Sequence, residues 1–340
     1  MKIAILDDYQ DVVPHLSCYS LLAGHEVKIF HNTVKGSGQL AVRLADTEAL
    51  VLIRERTRIT KELLSKLPKL RLISQTGAAG RGSVSHIDLA ECAARGIAVC
   101  ESRGSPTPTA ELTWALILAA MRRLPQYISN FKHGSWQHSG MKTALAPPNH
   151  GVGDALAGKT LGIWGYGRIG RIVAGYGAAF GMNVLVWGRE KSQQAARENS
   201  FEVASDKSDL FLRADVLSLH LRLTEDTRGI VQPGDLKAMK PTALFVNTSR
   251  AELVVPDALV AALHSGRPGL AAVDVFESEP LLAGHPLLLM ENVICTPHLG
   301  YVEKDNYEKM FGMAFRNILA FAAGAPENLV AAEAVAGAER

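Results

Sequence analysis

The chain has 340 residues, 47% of them apolar, and its 36 basic side chains nearly balance 34 acidic ones to give a net charge of +2. A chain of this length exceeds what one hydrophobic core usually supports, so we expect two domains. The balanced charge argues against partners such as nucleic acid or an anionic membrane surface.

Cysteine spacing and apolar runs predict a cytoplasmic protein. The N-terminal run Ile3–Leu6 is too short for a signal peptide, and the longest apolar stretch, Leu112–Met121, is too short to span a bilayer. The cysteines share no CxxC spacing, which indicates a reducing compartment and no zinc site. They are Cys18, Cys92, Cys100 and Cys295.

The first hundred residues have an α/β pattern. Short apolar runs with strand character recur there. They are Lys2–Leu6, Glu26–Phe30, Leu50–Ile53, Leu70–Ser74 and Ile97–Cys100. Two further segments, Ala110–Arg123 and Asp305–Ala323, have the pattern of long helices, and we expect them to carry the chain between two domains.

Three other segments are predicted to be loops or weakly ordered. His133 and His138 surround Trp136 in a polar stretch that is typical of a solvated loop, so we predict no metal site. The segment Met141–Asp154 is predicted to be a loop, and the alanine-rich tail after Gly324 to be weakly ordered.

A glycine loop lies between a predicted strand and a predicted helix. It reads Gly165-Tyr166-Gly167-Arg168-Ile169-Gly170 and follows the apolar run Thr160–Trp164. Apolar residues then recur at helical spacing as far as Phe180, and another strand-like run, Asn183–Trp187, completes a βαβ unit.

Each glycine of this loop has a use in binding a dinucleotide. Gly165 would allow a tight turn, Gly167 would let the backbone approach a pyrophosphate, and Gly170 would let the helix pack on the strand. We therefore predict a dinucleotide site, the alternative being glycines used only for packing.

The end of the second strand indicates which dinucleotide binds. An NAD-selective site places Asp or Glu there to accept from the ribose hydroxyl, whereas this chain has Gly188 and Arg189. Arg189 offers a donor fork for a 2′-phosphate, so NADP(H) is favoured and NAD(H) is possible. Alternatively, Arg189 is a solvated turn residue and Glu190 serves the ribose.

Further strand-like runs predict a doubly wound parallel sheet of six strands. They are Asp215–His220, Ala243–Asn247, Gly269–Asp274 and Asn292–Cys295. Arg250, Glu279 and His298 follow three of these runs, and ligands of open α/β sheets bind outside the carboxyl ends of strands. The pattern predicts redox chemistry on an acid substrate.

The order of these motifs resembles the D-2-hydroxyacid dehydrogenase family, which includes phosphoglycerate dehydrogenases and glyoxylate/hydroxypyruvate reductases. The glycine loop is followed by Asn247-Thr248-Ser249-Arg250, by Asp274-Val275-Phe276-Glu277-Ser278-Glu279-Pro280 and by Thr296-Pro297-His298-Leu299-Gly300. Thr109–Leu112 and Val216–His220 are also similar. The resemblance extends over most of the chain.

The resemblance implies an α/β fold with two domains and a cleft between them. A Rossmann-type doubly wound parallel sheet forms the cofactor domain, at residues 105–299, and a smaller flavodoxin-like α/β substrate domain comprises residues 1–104 and 300–340. The family pairs its cofactor domains across a two-fold axis, so we expect a homodimer formed largely by Glu111–Asn130.

The resemblance also implies the catalytic roles, and side-chain chemistry agrees with them. His298 would be the general acid or base, because imidazole gives or takes a proton near neutrality. Glu279, which precedes Pro280 as in the family motif, would orient the imidazole. Arg250 would bind the carboxylate and polarise the carbonyl of a small 2-keto acid, although it could simply cap a helix or pair with Glu252.

Asp274 resembles the family residue that receives the nicotinamide carboxamide, and the segment that ends at His220 resembles the lining of the cofactor cleft. Arg222 either joins Arg189 at a 2′-phosphate or lies in solvent. The predicted cofactor-binding residues are Gly165, Tyr166, Gly167, Arg168, Ile169, Gly170, Gly188, Arg189, His220, Arg222, Thr248, Asp274 and Thr109.

The chain departs from the family pattern in its first domain. The family's loop there supplies backbone N–H groups to the substrate carboxylate, but residues 75–88 are longer and place His86 before Ile87-Asp88. We assign substrate binding to Gly77, Ala78 and Arg54 and expect an unusual pocket.

An alternative from another functional class is a dinucleotide-sensing protein. Such a protein would resemble the C-terminal-binding corepressors and have weak dehydrogenase activity. No basic tail or low-complexity segment supports it. A formate dehydrogenase fits less well, because that relative lacks the glutamate partner that Glu279 supplies.

Overall fold

The computed structural model of the protein describes residues 1–79, 85–141 and 150–330. The chain forms two compact units, Met1–Ser105 together with the chain from Val302 onward, and Pro106–Tyr301. Each unit contains one parallel β-sheet. The α/β prediction is therefore confirmed.

The first unit contains a five-stranded sheet with the strand order β2-β1-β3-β4-β5, which is the flavodoxin-like order. Its strands are β1 (Lys2–Ile5), β2 (Glu26–Ile29), β3 (Ala49–Leu52), β4 (Leu72–Gln75) and β5 (Ala98–Glu101). Its helices are α1 (Ser37–Leu44), α2 (Lys61–Leu64), α3 (Leu89–Ala94) and α12 (Lys304–Ala322). The strands lie where the sequence predicted them.

Helix α12 covers this sheet because one of its faces is apolar. Phe311 and Phe315 are fully buried. The hydroxyl of Ser74 in β4 donates to the carbonyl of Ala314 at 2.8 Å, which ties the helix to the strand.

The chain after α12 returns to the edge of the same sheet. The amide of Val330 donates to the carbonyl of Val99 at 2.8 Å, and that of Glu101 to the carbonyl of Asn328 at 3.0 Å. The prediction of weak order after Gly324 is therefore wrong as far as Val330. Residues 331–340 lie outside the described part of the chain.

The second unit contains a seven-stranded sheet with the order β12-β11-β10-β9-β6-β7-β8, the Rossmann order with one further strand. Its strands are β6 (Thr160–Trp164), β7 (Asn183–Trp187), β8 (Glu202–Val203), β9 (Val216–Leu219), β10 (Leu244–Asn247), β11 (Leu270–Val273) and β12 (Val293–Cys295). The prediction of six strands is wrong because it omits β8. Two residues are too few to show an apolar alternation.

Helices cover both faces of this sheet. They are α4 (Thr107–Met121), α5 (Leu124–Lys132), α6 (Arg168–Ala179), α7 (Glu190–Glu198), α8 (Lys207–Arg213), α9 (Pro233–Ala238), α10 (Ala258–His264) and α11 (Pro286–Leu289). Successive strand residues point to opposite faces, so Leu244 and Val246 join one hydrophobic cluster and Phe245 joins the other. The central parts of the strands are largely apolar on both faces for that reason.

Two predicted loops lie partly outside the described residues. In the predicted loop Met141–Asp154, residues 142–149 are not described, and His150–Val152 forms a 3₁₀ turn where a loop was expected. In the predicted loop at residues 75–88, residues 80–84 are not described either. In the described ranges no helix is both long and apolar enough to cross a bilayer.

Two glycines on α6 give a test of how this helix packs. A Cβ on Gly177 would collide with Leu161 Cδ2 in the core, whereas one on Gly175 would meet nothing within 4 Å. We expect Gly177→Ala to lower the free energy of unfolding by about 1–3 kcal/mol through overpacking. Gly175→Ala should raise it by about 0.5–1 kcal/mol, because glycine is unfavourable inside a helix. Urea unfolding followed by circular dichroism measures both, and equal losses would contradict this packing.

Candidate active site

The central strands of the larger sheet end in register. Their last residues pair across the sheet: Trp164 with Leu219, Leu219 with Asn247, Asn247 with Val273, and Val273 with Cys295. The next residues along the chain therefore form a row outside the carboxyl edge. They are Gly165, His220, Thr248, Asp274 and Thr296. The strand order reverses between β6 and β9, which is where ligands of such sheets bind.

The glycine loop has a backbone that other residues would disturb. Gly165 has a φ of +100°, and a Cβ there would lie 2.6 Å from the His220 carbonyl oxygen. A Cβ on Gly170 would collide with the Gly165 carbonyl oxygen, whereas the space beside Gly167 is open within 4 Å. Gly167 immediately precedes α6, so a pyrophosphate fits against this helix N-terminus.

The remaining residues of the loop differ in exposure. The side chain of Tyr166 is buried in the core, with its ring 6.1 Å from that of Phe201, so it would reach a cofactor only through its backbone. Ile169 packs partly against the same core. Arg168 is exposed in the first turn of α6.

Arg189 is exposed and immediately precedes α7. The carbonyl of the residue before it, Gly188, accepts a hydrogen bond from Gln193 Nε2 at 2.8 Å. Glu190 lies 3.4 Å from Arg197 Nη1, which directs its carboxylate along the helix. Arg222, after β9, is also exposed.

His298 and Glu279 form a direct pair. The distance from His298 Nδ1 to Glu279 Oε2 is 2.7 Å, and the other carboxylate oxygen, Oε1, accepts from the amide of Phe276 at 3.0 Å. His298 has a φ of +54°, a left-handed conformation that non-glycine residues rarely adopt and that is often found at functional sites. Because Nδ1 is engaged, Nε2 is the nitrogen left to face a ligand.

A buried carboxylate holds the loop that carries His298. Asp274 is fully buried, and its Oδ1 accepts from Thr296 Oγ1 at 2.6 Å and from the amide of Leu299 at 2.7 Å. Its Oδ2 accepts from the amide of Gly300 at 2.8 Å. Desolvation raises the pKa of Asp274, and these hydrogen bonds oppose that rise. The sequence indicated Asp274 as a cofactor residue and did not indicate this anchoring.

Threonine side chains connect the strand ends to α4. Thr109 Oγ1 donates to the carbonyl of Gly300, and the hydroxyls of Thr113 and Thr248 are hydrogen-bonded, each at 2.7 Å. Thr113 was not predicted. Its polar side chain in the apolar stretch Leu112–Met121 of α4 is the signal that could have indicated it.

Arg250 directly precedes the 3₁₀ turn Ala251–Leu253 and is partly buried. Its Nη1 donates to the carbonyl of Ser249 at 2.7 Å, and Asn247 Nδ2 donates to the carbonyl of Arg250 at 2.9 Å. Both contacts position the backbone and side chain at the end of β10.

His220 follows β9, and its Nε2 lies 3.0 Å from Ser218 Oγ. Desolvation lowers the pKa of His220 to about 4. Its imidazole is therefore neutral near pH 7 and contributes a hydrogen-bonding ring without charge.

The predicted substrate residues lie in the first unit, at the ends of β3 and β4. Arg54 has a φ of +54°, and its amide donates to Thr76 Oγ1 at 3.1 Å. A Cβ on Gly77 would collide with Arg54 Nη1, so the guanidinium lies against this turn. Ala78, the third predicted residue, directly follows Gly77 and is exposed.

One group of possible metal ligands occurs among the described residues. Carboxylate oxygens of Asp8 and Asp11 and a ring nitrogen of His31 lie within 4.8 Å of one another in the first unit. The Asp8 carboxylate already accepts from the amides of Val12 and Val13, at 3.2 and 3.0 Å. These bonds account for its position without an ion.

Comparisons with known proteins agree with this fold. Residues 114–300 match the model of the D-isomer specific 2-hydroxyacid dehydrogenase, NAD binding domain. A glyoxylate reductase from Aeropyrum pernix is 42% identical over 281 residues, which are 82% of this chain and 81% of that protein.

Two crystal structures are similar over nearly the whole chain. One, provisionally named a D-3-phosphoglycerate dehydrogenase oxidoreductase from Ralstonia solanacearum, is 61% identical with a TM-score of 0.96 and covers 98% of both chains. The other, a phosphoglycerate oxidoreductase from Vibrio cholerae O395, is 52% identical with a TM-score of 0.90 and covers 96% of this chain and 100% of that one.

The fold and the family match define an oxidoreductase that acts on CH–OH donors and uses a nicotinamide cofactor. The chain belongs to the D-isomer-specific 2-hydroxyacid dehydrogenase family. The resemblance found in the sequence is thereby confirmed.

Proposed function

We propose that the protein reduces a small 2-keto acid to the D-2-hydroxy acid, with His298 as the general acid and Glu279 as its partner. The observation that carries this proposal is the 2.7 Å contact between His298 Nδ1 and Glu279 Oε2. A carboxylate in that position orients the ring and stabilises its protonated form, as the third group of a catalytic triad does.

The reaction needs a hydride at the carbonyl carbon and a proton at the carbonyl oxygen. A bound nicotinamide supplies the hydride. His298 Nε2 donates the proton, after which the neutral imidazole takes another from water. In the reverse direction the same nitrogen accepts the proton of the hydroxyl group. Arg250 binds the carboxylate and polarises the carbonyl through its planar donor fork.

The remaining predicted residues have supporting positions. The glycine loop and the row of strand-end residues suit the pyrophosphate and nicotinamide halves of the cofactor, respectively. Among the described residues, the amide of Gly300 is the one donor to Asp274 Oδ2, which leaves a lone pair that suits a carboxamide. Gly77, Ala78 and Arg54 suit a carboxylate, because they combine backbone amides with a guanidinium.

We propose NADP(H) as the preferred cofactor. Gly188 removes the carboxylate that would repel a 2′-phosphate, and the exposed Arg189 offers a cation beside the start of α7. The contact of Glu190 with Arg197 argues against Glu190 as the ribose acceptor. Arg222 is exposed and is proposed as a second cation for the phosphate.

A homodimer is proposed from the apolar surface of α5. Helix α5 has no buried residue, and the exposed fractions of Ile128 and Phe131 are 53% and 61%. Trp136, 75% exposed, packs edge-on against Phe131 with ring centroids 5.7 Å apart. An apolar patch of this kind suits a two-fold interface with a second copy of the chain.

His298→Ala should lower kcat by about 10²–10⁴-fold, because it removes the general acid. The dissociation constant of the cofactor, from fluorescence titration, should remain near the wild-type value. His264→Ala, an exposed histidine on α10, is the matched control and should keep full activity. Glu279→Gln should also lower kcat, because the ring loses the carboxylate that orients it. An unchanged kcat in His298→Ala would refute the mechanism.

Arg189→Gln should lower kcat/KM for NADPH, by about tenfold for each 1.4 kcal/mol of phosphate pairing that is lost. The value of kcat/KM for NADH should remain nearly unchanged. Lys191→Gln, in the first turn of α7, is the control for charge alone. Adding Gly188→Asp should shift the preference further toward NADH. A wild-type enzyme that prefers NADH, with Arg189→Gln unchanged, would mean that the ribose is read elsewhere.

Sedimentation at micromolar concentration should give a dimer for the wild type and a monomer for Ile128→Glu, because a charge in an apolar interface is strongly unfavourable. Val42→Glu, an isolated exposed position at 81%, is the control and should remain dimeric. A monomeric wild type would contradict the proposed assembly.

A further inference from the structure

Two buried threonine hydroxyls at the carboxyl edge of the larger sheet form a hydrogen bond whose direction is determined. Thr113 Oγ1, on α4, lies 2.7 Å from the carbonyl oxygen of Thr109 and 2.7 Å from Thr248 Oγ1. A carbonyl oxygen can only accept, so the single hydroxyl proton of Thr113 goes to Thr109. The proton between the two hydroxyls therefore belongs to Thr248, and Thr248 Oγ1 is the donor of this pair.

Burial keeps this arrangement from reversing. Thr113 is fully buried, and the exposed fraction of Thr248 is 7%. If Thr113 donated to Thr248 instead, its oxygen would lie 2.7 Å from the carbonyl oxygen of Thr109 with no proton between them. Such a contact is unfavourable in a buried site, where water cannot replace the lost bond. Thr248 Oγ1 therefore offers a ligand its lone pairs and not its proton.

Thr248 lies beside a second acceptor, the carboxylate of Asp274. The two residues directly follow β10 and β11, which are paired in register. Thr248 faces α4, because it is bonded to Thr113 of that helix. Asp274 faces the same helix, because its partner Gly300 accepts from Thr109 of α4. This edge therefore presents two acceptors on one face of the sheet.

We propose that Thr113 is a positioning residue that keeps Thr248 an acceptor, so that this edge selects a nicotinamide and rejects the corresponding carboxylic acid. The inference rests on the proposed assignment of this edge to the nicotinamide half of the cofactor. An amide –NH₂ group has two N–H donors, which match two acceptors, whereas a carboxylate has acceptors only. A carboxylate would also meet the like charge of Asp274 at short range.

The test compares ligands that differ only in this group. NADP⁺ and nicotinic acid adenine dinucleotide phosphate form one pair, and NAD⁺ and nicotinic acid adenine dinucleotide form the other. Isothermal titration calorimetry without substrate gives the dissociation constants, and the ratio within each pair does not depend on the preference for a 2′-phosphate. We expect the wild type to bind the amide at least about tenfold more tightly than the acid in both pairs.

Thr113→Val keeps the shape of the side chain but removes the acceptor for the proton of Thr248. The freed hydroxyl can then donate to a carboxylate, so the ratio should fall by about three- to tenfold. Thr113→Ser keeps the hydroxyl and should keep the wild-type ratio. Thr113→Ala replaces the valine variant if that variant does not fold.

The control is Thr160→Val, at the start of β6 and therefore at the opposite end of that strand from the glycine loop. It should leave the ratio unchanged. A purely structural role of Thr113 would weaken the binding of both ligands alike, and the ratio would then stay at the wild-type value.

The outcomes separate this inference from the proposed function. A wild type that binds amide and acid equally would overturn the inference alone, as would a Thr113→Val or Thr113→Ala variant with the wild-type ratio. Thr248→Val should weaken binding of the amide, because it removes the acceptor itself. If it binds both ligands as the wild type does, the nicotinamide lies elsewhere, and the proposed assignment of this edge fails together with the inference.

Discussion

The parallel strands of the larger sheet end opposite one another, and this register determines which residues meet at the carboxyl edge of the sheet. The pairs Trp164–Leu219, Leu219–Asn247 and Asn247–Val273 put consecutive strand ends side by side. Residues that are distant in sequence then share one edge because each follows its own strand. The groups proposed for catalysis and cofactor binding in this unit depend on that register, and a slip of one residue would turn every strand side chain to the other face.

Asp274 shows how the edge of the sheet holds the loop at residues 296–300 in place. A fully buried carboxylate is costly unless hydrogen bonds compensate it, and here Thr296, Leu299 and Gly300 donate to it. The loop between those donors carries His298 in a left-handed conformation. Asp274 therefore limits the positions open to the imidazole, while Glu279 limits its rotation.

The same arrangement recurs in the smaller sheet. Arg54 follows β3 as His298 follows β12, both have a φ of +54°, and hydrogen bonds fix both backbones. In each case the backbone is strained, and the side chain proposed for function belongs to a short, hydrogen-bonded turn. Strain of this kind persists only where surrounding contacts hold it, which is expected where geometry matters more than stability.

The sequence by itself determined every strand except β8, the glycine loop and the residues that follow the predicted strands, because apolar periodicity and glycine spacing are local signals. It also determined the family, through motifs that are each only a few residues long. Only the tertiary structure decided that β8 joins the sheet, that the chain near Val330 pairs with β5, and that Asp274 anchors the His298 loop. The contact of Glu101 with Ala79 and of Arg54 with Gly77 also needed the structure. These features depend on which strands become neighbours and on hydrogen bonds between distant residues, and no local pattern records either.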